Sequence, residues 1–182
     1  TTTERGTASA LAESPINPDV LYVGTDDGAM WVTRNGGHDW SNVTSAIQGL
    51  PSKGCVSSIE PSRFKEERCY VVIVAHRADS SAPFVFVTED YGSTWSTLRS
   101  NLPDGSARTL REGIQNENLL NLGTEFGAWT SIDRGNSWIR LNNNLPTVAL
   151  HEFAQPKAAN ELVAATHGRS IWILDVTPLR QL

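Results

Sequence analysis

Three stretches of the chain repeat one eight-residue pattern: Thr88-Glu-Asp-Tyr-Gly-Ser-Thr-Trp95, Ser131-Ile-Asp-Arg-Gly-Asn-Ser-Trp138 and a worn copy, Thr33-Arg-Asn-Gly-Gly-His-Asp-Trp40. Each box runs hydroxyl, any, Asp or Asn, any, Gly, any, any, Trp. Repetition at this scale constrains the fold more than any single residue does, because each repeat must be one unit that buries its apolar face against the next. The Trp residues step by 55 positions and then by 43. Steps of about 40–50 residues are the size of a four-stranded propeller blade, here with an insertion in the second unit.

The segments between the boxes repeat as well. First strands are expected at Ala8–Ser14, Val56–Glu60, Arg108–Ile114 and Val148–Phe153, each followed by a polar turn such as Pro15-Ile-Asn-Pro-Asp19. Second strands at Leu21–Thr25, Tyr70–Val74, Leu119–Thr124 and Leu162–Thr166 are apolar almost throughout, as suits strands covered on both faces. Third strands carry Trp31, Phe86 and Trp129 at a matching place, with Trp172 close to it in the last unit, and each box turns the chain into a short outer strand. A Leu-Pro pair closes three units, at Leu50-Pro51, Leu102-Pro103 and Leu145-Pro146. No stretch shows a sustained helical period with caps. The expected fold is an all-β propeller of four-stranded antiparallel blades forming a single segment over 1–182, with blades at about 7–47, 54–101, 107–143 and 147–176.

The box chemistry is structural. An Asp in a tight turn accepts backbone N–H bonds, and the Gly two residues later takes positive φ at little cost. The Trp buries a large ring between blades. Asn35, Gly37 and Trp40, then Asp90, Gly92 and Trp95, then Asp133, Gly135 and Trp138 are therefore expected to shape turns, with Asn35 keeping the geometry of the worn copy while losing the charge. The fourth unit stops early: after Ser170-Ile-Trp-Ile-Leu-Asp175 no Gly or Trp completes a box. Either Thr1–Arg5 supplies the missing outer strand, or the chain is part of a larger ring completed by absent sequence or another chain. The second reading is favoured, since an open strand edge is an aggregation liability. The chain also opens Thr-Thr-Thr without Met, which reads as a fragment or a processed chain.

Alternating strand direction places the boxes on one face and the turns joining second and third strands on the other. Those opposite turns carry Asp26 and Asp27, His76, Arg77 and Asp79, Glu125, and His167 and Arg169. They form the expected ligand-binding face, and Asp26, Asp27, Asp79 and Glu125 are the only carboxylates nominated for catalysis. Metal ligation is not expected: the histidines form no HxxxH pattern and the cysteines no CxxC. No cofactor is expected either. Cys55 and Cys69 fall at opposite ends of one hairpin, more than about 10 Å apart, too far for a disulfide. Charged residues are 19% of the chain and the net charge is −5, which gives no nucleic-acid footprint. No apolar run approaches the roughly 20 residues that span a bilayer, and no secretory signal is visible.

The motif S/T-x-D-x-G-x-T/S-W resembles the Asp-box, or BNR repeat, of sialidases, xyloglucanase-type glycoside hydrolases, sortilin-type receptors and plant photosystem-assembly factors. The flanks Leu21-Tyr-Val-Gly-Thr-Asp-Asp-Gly28, Asn144-Leu-Pro-Thr147 and Ala165-Thr-His-Gly-Arg-Ser-Ile-Trp-Ile-Leu-Asp175 resemble the C-terminal half of large bacterial propellers of the sortilin-like, glycosyl-hydrolase-like group. The resemblance implies an extracellular or periplasmic setting. A sialidase site would need three arginines, carboxylates and a nucleophilic tyrosine, and Tyr22, Tyr70 and Tyr91 sit in two strands and a box. The expected function is a non-enzymatic recognition or scaffold module for a protein, peptide or glycan on the face opposite the boxes. Two alternatives stand beside it: part of a xyloglucanase-like hydrolase using paired carboxylates, and a structural subunit docking through its open edge.

Overall fold

The computed structural model describes residues 6–75, 78, 80–141 and 144–180; His76, Arg77 and Asp79 lie outside them. The chain is an all-β partial propeller of three four-stranded antiparallel sheets and a three-stranded fourth. Blade 1 is β1 (Ala8–Glu13), β2 (Leu21–Thr25), β3 (Met30–Thr33) and β4 (Ser41–Asn42), and blade 2 is β5 (Cys55–Pro61), β6 (Cys69–Val74), β7 (Phe84–Thr88) and β8 (Ser96–Thr97). Blade 3 is β9 (Ala107–Glu112), β10 (Leu120–Thr124), β11 (Gly127–Ser131) and β12 (Ile139–Leu141). Blade 4 is β13 (Leu150–Ala154), β14 (Glu161–Thr166) and β15 (Ile171–Asp175), followed by one helical turn, α1 (Thr177–Arg180). Within each sheet the strands pair in chain order. The first strands pack on one another from blade to blade, β1 on β5, β5 on β9 and β9 on β13, so they line the axis and the box-borne strands lie outermost. Cys55 pairs with Val74 and Cys69 with Pro61, at the two ends of their hairpin, and both thiols are free.

Register explains why the second strands are apolar on both faces. In-register residues share a face, and the rows Ile59–Val71–Phe86, Leu110–Leu122–Trp129 and Phe153–Ala164–Trp172 each face the preceding blade. The alternate residues, Tyr22 and Met30 in blade 1 or Tyr70 and Val85 in blade 2, face the following one. Three apolar cores result, one between each pair of successive blades.

The box turns hold their shape through side chains that satisfy backbone donors. In blade 2 the Thr88 hydroxyl donates to Asp90 Oδ1 (2.8 Å) and accepts the Gly92 N–H (2.8 Å), while the Asp90 carboxylate accepts the Thr94 N–H (2.8 Å) and the Thr94 hydroxyl (2.7 Å). Ser131, Asp133, Gly135 and Ser137 repeat this network in blade 3. The fourth and fifth box residues both take positive φ: Tyr91 and Gly92 at 57° and 89°, Arg134 and Gly135 at 56° and 86°. In the worn copy both are glycine, Gly36 and Gly37. Partial burial pushes the pKa of Asp90 and Asp133 up, but the bonds from Thr94 and Ser137 outweigh it and hold both carboxyls below the usual range. Because the folded value is lowered, the stabilisation is present above the ordinary Asp value of about 3.9 and is lost as pH falls through the folded one.

Blade 1 departs from the expectation that Asn35 simply loses a charge. Asn35 Nδ2 donates to the Asp39 carboxylate at 2.9 Å, and Asn35 Oδ1 accepts the Asp39 N–H at 3.0 Å. The carboxylate has moved from the third box position to the seventh, where the other boxes carry a hydroxyl, and donor and acceptor have exchanged places. The tryptophans differ too. Trp138 is buried and donates to Leu98 O of the preceding blade (2.9 Å), whereas the half-buried Trp95 and the 38% exposed Trp40 donate to the glycine carbonyl of their own boxes (3.0 and 3.1 Å). Trp40 thus does not bury its ring between blades, because the described chain has no blade before it.

The reversed polarity makes a counter-intuitive prediction. Asn35→Asp, which restores the consensus, sets two carboxylates against each other and is expected to destabilise by about 1 kcal/mol in urea unfolding at neutral pH. A like charge raises the folded pKa, so the penalty is present above that value and vanishes below the ordinary Asp range. Adding Asp39→Thr restores stability; a consensus-restored single variant as stable as the parent refutes the exchange.

Candidate functional site

On the face opposite the boxes, the turn residues of blades 1, 3 and 4 are fastened to the connectors that precede each first strand. The N–H groups of Asp26, Glu125 and His167 donate to Thr7 O, Ser106 O and Ala149 O, each at 2.9 Å. Asp26 Oδ1 also accepts the Thr7 N–H at 2.7 Å, and Asp27 accepts the Thr25 hydroxyl, a bond that holds its carboxyl below the usual range. Asp26 and Asp27 share a cavity of about 170 Å³ with Ser52 and Lys53. His167 stacks on His151 of β13, ring centroids 5.0 Å apart, and Arg169 O accepts the Trp172 indole N–H. The structure therefore joins Asp26 with Asp27, while Glu125 and the pair His167 and Arg169 occupy the corresponding turns of blades 3 and 4.

A larger cavity, about 450 Å³, opens on the box side of the axis. First strands, or the turns that follow them, from all four blades contribute to its wall: Leu11 and Glu13 from blade 1, Glu60 and Arg63 from blade 2, Arg111 and Ile114 from blade 3, Phe153 and Gln155 from blade 4. Its charges are fixed across blades. Arg111 reaches Glu60 Oε2 at 3.3 Å in blade 2 and Glu152 Oε2 at 2.7 Å in blade 4. Glu60 also accepts the Glu112 N–H (3.2 Å) and lies 3.5 Å from Arg63 Nη2. Burial pushes the Glu60 carboxyl above its ordinary range, against the pull of Arg111 and Arg63. Arg63 is the less committed cation: its contact to Glu60 is long, and its buried Nε has no hydrogen-bond partner.

Behind this wall a charged network joins blades 2 and 3. Glu112 is fully buried and accepts the Ser62 hydroxyl (2.8 Å) and the Arg63 N–H (2.9 Å), with Arg68 Nη1 at 3.8 Å. The buried Arg68 side chain donates to Glu89 (2.8 Å) in box 2 and to Glu117 (2.8 Å) in blade 3. Burial raises the Glu112 carboxyl against these bonds. Hydrogen bonding from Arg68 holds Glu117 below its usual range. Glu60, Arg63, Arg68, Arg111 and Glu112 were not among the site residues expected from sequence. Their signal was charge recurring at equivalent registers of successive first strands, Glu60 lying opposite Tyr70 and Arg111 opposite Asn121. Among the described residues no cluster of three metal-ligating side chains occurs, and no helix is long and apolar enough to cross a membrane.

No protein-family model and no curated protein matches the sequence. Solved structures do. The chain is similar to the GH74 xyloglucanase from Xanthomonas campestris (16% identity over 93% of this chain and 29% of that one, TM-score 0.74). It is similar to YCF48 bound to D1 peptide (18% identity, 92% and 55%, TM-score 0.63) and to a chain of the COPII outer-coat vertex on membranes (11%, 95% and 48%, TM-score 0.68). The chain spans from about a quarter to about half the length of these structures. At such identities the likeness shows the fold, a β-propeller.

The network across blades 2 and 3 sets a stability test. Arg68→Met leaves Glu112 buried without its cation and is expected to cost about 3–5 kcal/mol in denaturant unfolding. Adding Glu112→Gln removes the stranded charge and recovers a large part of that loss. Equal stability of the single and double variants would show that the two residues do not interact.

Proposed function

We propose that the chain is a recognition segment of an Asp-box propeller, completed by further blades, that binds an extended protein or peptide segment at the box-side mouth of its axis. The observation that carries this reading is the cleft walled by all four blades, where Arg63 offers a buried N–H without a partner beside a fixed Glu60–Arg111 pair. Buried donors that lack partners favour a ligand bearing a carboxylate or carbonyl oxygen. Apolar Leu11, Ile114 and Phe153 give the remaining contact area. A peptide suits this lining better than a glycan does, since Phe153 is the cleft's aromatic and it is buried, leaving no exposed ring on which a sugar could stack.

The cleft is preferred to the opposite face because Asp26 and Asp27 are spent holding their own turn. A hydrolase needs two carboxylates free to trade protons or attack, about 5–9.5 Å apart. Glu60 is instead clamped by arginine and Glu112 is sealed from solvent. Peptide binding by YCF48, hydrolysis by GH74 enzymes and coat assembly by COPII show the range of uses this fold supports. An extracellular or periplasmic setting accompanies the Asp-box reading.

A peptide array with and without acidic residues, probed with the whole chain, tests this. Arg63→Ala is expected to weaken capture of acidic peptides about ten- to hundredfold, the loss of one charge-assisted bond, with unchanged urea unfolding. Capture that survives Arg63→Ala but is lost with Asp26→Asn and Asp27→Asn moves the site to the opposite face. Reducing-sugar release from xyloglucan that Glu60→Gln abolishes replaces binding with hydrolysis.

A further inference from the structure

Each box has a neighbour to sit on, except the first. An added Cβ on Gly92 would meet the Val43 side chain of blade 1 at 3.1 Å, and one on Gly135 would meet Leu98 of blade 2 at 3.0 Å. Val43 and Leu98 each stand three residues after their own box Trp. The outer strand of one blade thus presents an aliphatic knob to the box glycine of the next. Blade 3 fastens the same junction with polar bonds: the Asn101 side chain of the preceding segment donates to Trp138 O and accepts the Trp138 N–H. At Gly37 the only side chain among the described residues within reach of an added Cβ is Trp40 of its own box.

The sheet face beside Gly37 is open in the same way. Leu11, Val23 and Trp31 form one cross-strand row, equivalent to the rows that seal the other three blades onto their predecessors. Leu11 is 70% exposed, whereas Ile59, Leu110 and Phe153 at the equivalent position are buried. Burying such a side chain is worth about 1.5–3 kcal/mol, so this row repeats the interior interfaces without their partner.

We propose that the Leu11–Val23–Trp31 row and the Gly37–Trp40 turn are one docking surface. Its occupant is a four-stranded blade of this same repeat, carrying Val or Leu three residues after its box Trp. Continuity with the three interfaces inside the chain specifies that occupant. A second copy presenting its blade 4 does not meet the requirement: among the described residues blade 4 has three strands and no outer-strand residue to fill the space over Gly37. The inference rests on the chain being a ring segment and is independent of what binds in the cleft.

The test adds the missing blade to the whole chain: a tandem protein in which a copy of residues 7–54 precedes residue 6. In a Cys55→Ser background, Leu11→Cys in the resident blade reports on this face and Ile171→Cys, 68% exposed, on the far face of blade 4. Thiol labelling of Leu11→Cys is expected to slow about tenfold or more in the tandem protein, with labelling of Ile171→Cys unchanged. Val43→Asp in the added copy alone restores the fast rate. An added copy that is protease-sensitive, or folded without slowing the label, overturns the proposal. So does protection of Leu11→Cys in the unextended chain that grows with protein concentration and accompanies a dimer mass, which would make a second copy the occupant. Loss of peptide capture through Arg63→Ala changes none of these labelling rates, so the two readings fail separately.

Discussion

One hydroxyl per box does the work on which the blades depend. Thr33, Thr88 and Ser131 each accept the N–H of a glycine four residues on and donate to the Asn or Asp two residues on. That pair of bonds holds two successive residues in the left-handed region, a conformation costing about 1–3 kcal/mol for a residue with a side chain. The cost is tolerated at Tyr91 and Arg134 because the N–H of each is itself bound, to Glu67 O and Asn118 O in the adjoining turn. With the turn fixed, the glycine stands bare against the preceding blade and the Trp is aimed. Blade spacing follows from a local hydrogen-bond pattern.

Much of this was legible in the sequence, for a physical reason. Blade period, strand order and turn chemistry are local, and local constraints repeat wherever the box repeats. The positions of Trp31, Phe86, Trp129 and Trp172 marked in-register rows before any register was known, since each row must present its large ring to the same kind of neighbour. What escaped depends on residues about 50 positions apart. Nothing near Glu60 announces Arg111, and nothing near Ser62 announces Glu112; those pairings exist because successive first strands lie side by side at the axis. The Asn35–Asp39 exchange is itself local, since the two residues are four apart in one turn, and its sequence mark is Asp39 at the seventh box position, where the other boxes carry Thr94 and Ser137.

The seams between blades are not alike. Blades 1 and 2 meet through an apolar core, with hydrogen bonds from Ser9 Oγ to Val56 O at 2.8 Å and from Asn17 Nδ2 to Glu66 Oε1 at 3.1 Å, and with Arg34 over the Tyr91 ring. Blades 2, 3 and 4 add the Glu60–Arg111–Glu152 relay and the Arg68 network. Buried ion pairs are weak sources of stability compared with well-packed apolar groups, so the relay is poorly explained as a means of holding blades together. It does hold charge in place at the mouth of the cleft. Arg111 is shared between two carboxylates and Glu60 between two cations, which leaves Arg63, among the described residues, as the cleft's cation with bonding capacity in reserve.

The cleft and the open face share a residue. Leu11 lines the cavity and is also the most exposed member of the unpartnered row. A blade docked on that row would cover Leu11 and rebuild one wall of the cleft, so occupation of the face and occupation of the cleft are linked: whatever free energy one contributes to ordering that wall, the other need not supply. Ring completion therefore bears on recognition as well as on stability. The half of the cleft formed by Arg63, Arg111 and Phe153 is already set by interior interfaces, while the half formed by Leu11 and Glu13 takes its final shape from a neighbour. In the proposed peptide-binding reading, charge selectivity resides in the blades present in this chain, and the fit of the ligand's apolar part is decided at the blade junction that remains open.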